Sequence, residues 1–209
     1  MRSNTSMLRR VGAITPMALA AALCFAGTAY AAVPVNWSCQ ATVGSGTQTS
    51  SMTTSVTTTA PGSVAAGSPV AITIAPGSST VPLNPVPGVT VVSISNMKML
   101  IPVPANSTYV SSSASGGSVP GSTALVGSNV ELTVPGPISG GSTYTPPQVT
   151  INVTANAPGS ITSNYAGSSY ANPGMTFTTT LKPIIGPNFN TATACYPNPS
   201  PTLTTTTVT

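Results

Sequence analysis

Few residues of this chain are equipped for acid–base or metal chemistry. Beyond Ala31 the ionisable side chains are Lys98, Lys182, Glu131, Cys39, Cys195 and the tyrosines, with no Arg, Asp or His. General acid–base and nucleophilic catalysis need a titratable partner, so the enzyme classes open to this composition are few. A serine triad built on His is impossible, and there is no G-x-S-x-G elbow. A Ser–Lys dyad on Lys98 or Lys182 is formally open. However, Lys98 lies in a Met-rich run and Lys182 precedes Pro183, where solvated or snorkelling lysines are the rule. Glycoside hydrolysis requires two carboxylates, and Glu131 is the only acidic residue. Its expected role is a cross-strand pair with a lysine, contributing under ~1 kcal/mol if exposed. Zinc and calcium need ligand sets that this chain lacks. The expectation is no catalytic residue, no metal site and no cofactor.

The elements that must carry these few groups begin with an export signal. Arg2, Arg9 and Arg10 form a positive start, Val11 to Ala26 an apolar run that includes Cys24, and Ala29-Tyr30-Ala31 a small-x-small cleavage site. Residues 1–31 therefore read as a signal peptide cut between Ala31 and Ala32, and residues 32–209 as one domain, secreted or held in the cell envelope. Removing the signal alters the charge. The whole chain carries a formal +4, but Lys98 and Lys182 against Glu131 leave +1. Phosphate binding draws on several clustered cations, so nucleic acid is not an expected partner. No later run approaches the ~20 apolar residues of a membrane-spanning helix.

Alternation of apolar with polar residues dominates the chain beyond the signal. It is clear in Val70–Ala75, Val130–Val134, Val149–Thr154 and Met175–Leu181, and it predicts strands with one buried and one wet face. Thr takes the wet positions that Lys or Glu often hold, and Glu131 the outward place in its strand. Ala-Pro-Gly-Ser recurs at 60–63, 75–78 and 157–160, each time after such a run, and further breaks fall at 82–88, 115–121, 135–142 and 166–174. Many short strands with Pro and Gly turns indicate a β-sandwich or barrel of about eight to ten strands. Cys39 and Cys195 allow one intramolecular pairing, a staple between the first and last parts of the fold; free thiols or a bridge between chains are the other readings.

Three features invite a binding role. In Val89–Ile101 the apolar positions change parity, from Val89 and Val91 to Val92 and Ile94 and back to Met97, Met99 and Ile101. A bulge or a strand buried on both faces explains this, and a core strand is the plain reading; Met97 and Met99 lining a groove or partner surface is the functional one. Trp37 shares a strand face with Cys39 and is either a stacking platform for a sugar or an aromatic packed beside the cysteine, the commoner arrangement. Tyr144, Tyr165 and Tyr170 fall in or near turn-rich segments, where exposed tyrosines serve recognition. The segment from 198 reads as a flexible Ser/Thr/Pro tail or as a turn leading to a final strand with Leu203 buried.

Trp37-Ser38-Cys39, the run Pro61 to Gly67, and Cys195-Tyr196-Pro197 ahead of Leu203–Val208 together carry a resemblance. Residues 33–208 resemble a group of secreted actinobacterial Ser/Thr-rich β-domains that open with an aromatic-x-Cys strand and close with a Cys-x-Pro segment and a short strand. The resemblance implies an Ig-like antiparallel β-sandwich, a Cys39–Cys195 bridge and a strand at the end. It brings no activity. The reading is thus an all-β, non-catalytic module of structural or adhesion type, whose expected partners are cell-wall or glycan components or other envelope proteins. The alternatives are an envelope carrier or pore-type protein in which residues 89–101 line an apolar cavity, and a self-assembling surface subunit.

Overall fold

The computed structural model describes residues 28–43 and 46–209. These residues form strands and no helix: β1 (Thr28–Val43), β2 (Gly46–Ala60), β3 (Ser63–Val64), β4 (Pro69–Pro76), β5 (Ser79–Thr80), β6 (Val89–Pro102), β7 (Ser107–Ser115), β8 (Ser122–Val126), β9 (Asn129–Val134), β10 (Ile138–Ser139), β11 (Thr143–Tyr144), β12 (Gln148–Ala155), β13 (Gly159–Ser163), β14 (Met175–Pro183), β15 (Phe189–Pro197) and β16 (Thr204–Val208). Residues 1–27, which hold most of the expected signal peptide, lie outside the described residues. β1 starts within that expected segment: Thr28–Tyr30 pair with Thr58–Ala60, and the register breaks between Tyr30 and Val33, at the expected cleavage point.

The main sheet has eleven strands in the order β7-β12-β4-β2-β1-β15-β14-β6-β9-β8, with β10 on β6. Every pairing in it is antiparallel. β2 follows β1 along its length but meets β4 only over Val56–Thr59, so the sheet fans open there. Its two edge strands, β7 and β8, come close to one another. The resulting all-β domain encloses one core, built from Val35, Trp37, Val56, Ile72, Ile74, Leu132, Ile151 and their neighbours. The alternation anticipated in β4, β9 and β12 holds residue by residue, with Val70, Ile72, Ile74, Val130, Leu132, Val134, Val149, Ile151 and Val153 all buried. The three Ala-Pro-Gly-Ser runs end β2, β4 and β12.

Threonine does more than surface the sheets. Thr54, Thr58, Thr179, Thr191, Thr193, Thr204 and Thr206 are buried, which corrects the expectation that Thr marks the wet face. A buried hydroxyl is tolerated when bonded, and several of these donate to carbonyl oxygens: Thr58 to Leu203, Thr206 to Pro61, Thr191 to Thr42. On the outer faces, hydroxyls and amides bond across strands, as in Thr73–Thr150, Thr180–Asn190 and Asn152–Ser111.

β6 resolves its changing parity with two bulges. Against β14, Thr180 faces Ser93 but Leu181 faces Val91, and Thr178 faces Ser95 but Thr176 faces Lys98. Each step leaves one extra residue on β6, and Asn96 takes a positive φ of 52° at the second. Val91, Ile94, Met97, Met99 and Ile101 all turn inward as a result.

The chain's beginning and end are joined twice. Cys39 and Cys195 face each other on β1 and β15 and form a disulfide with Cα atoms 4.0 Å apart, spanning 156 residues. The bridge links neighbours within one sheet. β16 lies between β13 and β3, parallel to the latter, and Leu203 is buried ahead of it. The C-terminal segment is therefore a strand.

Candidate functional site: an apolar cleft beside the disulfide

From Cys39 outward along β1 the inward residues shrink to Ala41, and from Cys195 along β15 they become Thr193 and Thr191. The bulk that fills the Trp37 end of the domain is missing here. A cleft of about 220 Å³ occupies the space, walled by inward residues of β1, β6, β14 and β15, by Gln48–Met52 of β2 and by the segment 80–89. Its apolar wall is Val81, Val91, Ile94, Phe177 and Leu181, with Cys39 at its inner end.

Three threonines complete the wall, and their hydroxyls are already engaged. Thr179 and Thr193 bond each other at 3.2 Å, and Thr191 donates to the Thr42 carbonyl. What they leave for a ligand is chiefly their methyl groups. Among the described residues no Lys, Glu or tyrosine lines the cleft. An apolar cavity of about 150 Å³ takes up a benzene ring, so this volume suits a fused ring or a short length of acyl chain. Gln48, Thr49, Ser50 and Ser51 are exposed and make a polar rim. The arrangement offers a ligand shape and apolar contact.

Most of the candidate interaction residues lie in the core, for Met97 and Met99 as the core-strand reading of β6 has it. Met97 and Met99 are core residues, as are Tyr144 and Tyr165, so none of the four offers a surface to a partner. Bulges that turn Met97 inward, and ring packing that buries Tyr165, account for the difference. Tyr170 is half-buried and packs edge-on against Tyr196, ring centroids 5.1 Å apart. Burial raises the Tyr165 phenol above its ordinary value and pushes Tyr144 up to about 12. Trp37 is buried against Tyr165, beside the disulfide-bearing face. Lys98 donates to the Glu131 carboxylate at 2.9 Å, an exposed pair worth under ~1 kcal/mol. Among the described residues no group of His, Cys, Asp or Glu is arranged to hold a metal.

Of the stretch Val89–Ile101, the first half lines the cleft and the second half fills the core. Sequence reading missed Thr179, Thr191 and Thr193. Their parity was the available signal, since they alternate in step with Met175 and Leu181 on β14 and with Cys195 on β15.

Comparison with family models and with curated proteins returns no match. Among solved structures the chain is similar to one called "Putative membrane anchored protein" from Corynebacterium diphtheriae. The TM-score is 0.54 at 17% identity, covering 87% of this chain and 38% of that one. The similarity supports the all-β fold. This chain spans well under half the length of that structure's chain.

Proposed function

We propose that this protein is an exported, non-catalytic module of the cell envelope that binds a neutral apolar group in the cleft beside Cys39. The observation that carries the reading is a wall of aliphatic, aromatic and methyl groups with no ionisable side chain among the described residues. A disulfide persists in oxidising compartments, which supports an extracytoplasmic place. The likeness to a solved protein whose name describes a membrane anchor agrees with an envelope setting. Outer Thr, Ser and Asn side chains bond one another, so the wet faces hold fewer free donors for a glycan than composition suggests.

The test is titration with the neutral fluorophore N-phenyl-1-naphthylamine, followed by displacement with a long-chain alcohol. Saturable fluorescence gain, lost in Ala41→Phe while the fold is retained, supports the reading. Absence of saturable binding, or full binding by Ala41→Phe, refutes it.

A further inference from the structure

The β14–β15 hairpin ends in a loop, Ile184-Ile185-Gly186-Pro187-Asn188, whose two isoleucines are 84% and 89% exposed. They are the most exposed large apolar side chains among the described residues. The tip is held in place, because the Ile184 amide donates to the Gly88 carbonyl at 3.1 Å. Exposure on this scale at a fixed point calls for a partner.

We infer that this tip docks on an anionic lipid surface. Both isoleucines stand clear of the body at a convex point, which a flat protein face would cover only in part. A fluid apolar phase surrounds such a tip on all sides. Charge agrees with that choice. Lys98 is neutralised by Glu131, and Lys182 is exposed with no ion pair among the described residues. Lys182 lies near the end of β14, two residues before Ile184 and the loop that carries both isoleucines. With the isoleucines in the acyl region, its ammonium stands at the depth of the phosphate headgroups. The tip also adjoins the cleft: Pro85, Val86 and Val89 line both the cleft and an open outer groove of about 450 Å³, which Ile184 borders. The docking does not depend on whether the cleft binds a ligand.

The experiment is co-sedimentation of the processed, oxidised chain with vesicles of phosphatidylglycerol and phosphatidylcholine in equal parts, and with phosphatidylcholine alone. The wild-type chain is expected to pellet with the anionic vesicles. Ile184→Ser/Ile185→Ser should weaken that binding at least tenfold. Lys182→Gln should weaken it about fivefold and erase the preference for anionic lipid. Val110→Ser, an exposed apolar change on β7, should pellet as wild type. Because the substituted tip residues are exposed, circular dichroism and thermal melting should match wild type in each tip variant. A wild-type chain that stays in the supernatant overturns the inference. So does a tip variant that pellets like wild type, or a loss in Val110→Ser equal to that at the tip.

Discussion

Trp37 and Tyr165 meet in the core with ring centroids 5.1 Å apart and planes inclined at 57°, and neither the indole N–H nor the phenol O–H has a hydrogen-bond partner among the described residues. The rings gain from tilted aromatic packing, while each orphaned donor costs about 1–3 kcal/mol of desolvation. Tyr165→Phe keeps the ring and removes one orphan. Its unfolding free energy should equal or exceed that of wild type by up to about 1 kcal/mol in urea titration. A clear loss would show that the hydroxyl is satisfied in solution.

Alkaline pH should destabilise the fold through the same ring. The ordinary tyrosine value is 10.0, and burial raises Tyr144 to about 12 and Tyr165 further. Above pH 10 the unfolded chain releases protons that the folded chain keeps, so stability falls as pH rises. The contribution is whole below pH 10 and disappears as pH passes the folded values. Denaturation curves at pH 9 and pH 11 measure the fall, and Tyr165→Phe should reduce it. With one acidic residue and no His, stability between about pH 5 and 9 should be nearly flat.

Loss of the Cys39–Cys195 bridge releases a loop of 156 residues in the unfolded chain. Chain entropy sets the effect at up to about 5 kcal/mol, and removal of a native bridge typically costs about 2–5 kcal/mol. Cys39→Ala/Cys195→Ala should therefore show a denaturation midpoint well below wild type. A midpoint within error of the wild-type value would mean that the β1–β15 pairing alone closes the fold.

The Thr179–Thr193 hydroxyl pair invites a double-mutant cycle. Either Thr→Val change alone strands one buried hydroxyl and should cost about 1 kcal/mol or more. Both together remove donor and acceptor at nearly constant shape and should cost less than the two single effects added. Simple additivity in thermal or chemical unfolding would argue against the bond.

Strand character was legible wherever large apolar residues alternate with Thr, as in β4, β9 and β12. The parity changes of β6 pointed to bulges, though not to two of them. The cleft was hidden because Thr179, Thr191 and Thr193 face inward. A methyl and a hydroxyl on one carbon suit either face, and the partner that satisfies the hydroxyl lies on another strand. Tyr144 and Tyr165 misled for a related reason: local turn residues say nothing about what folds over them. Ile184 and Ile185 are plain in the sequence. Their exposure depends on the hairpin that carries them clear of the core.

β16 takes its place between β13 and β3, and β15 takes its place beside β1. Without β15, β1 keeps β2 alone; without β16, β3 has no strand beside it and the core loses Leu203, Thr206 and Val208. Each end-joining strand thus seals the domain at a different place, β15 within the main sheet and β16 in a smaller one.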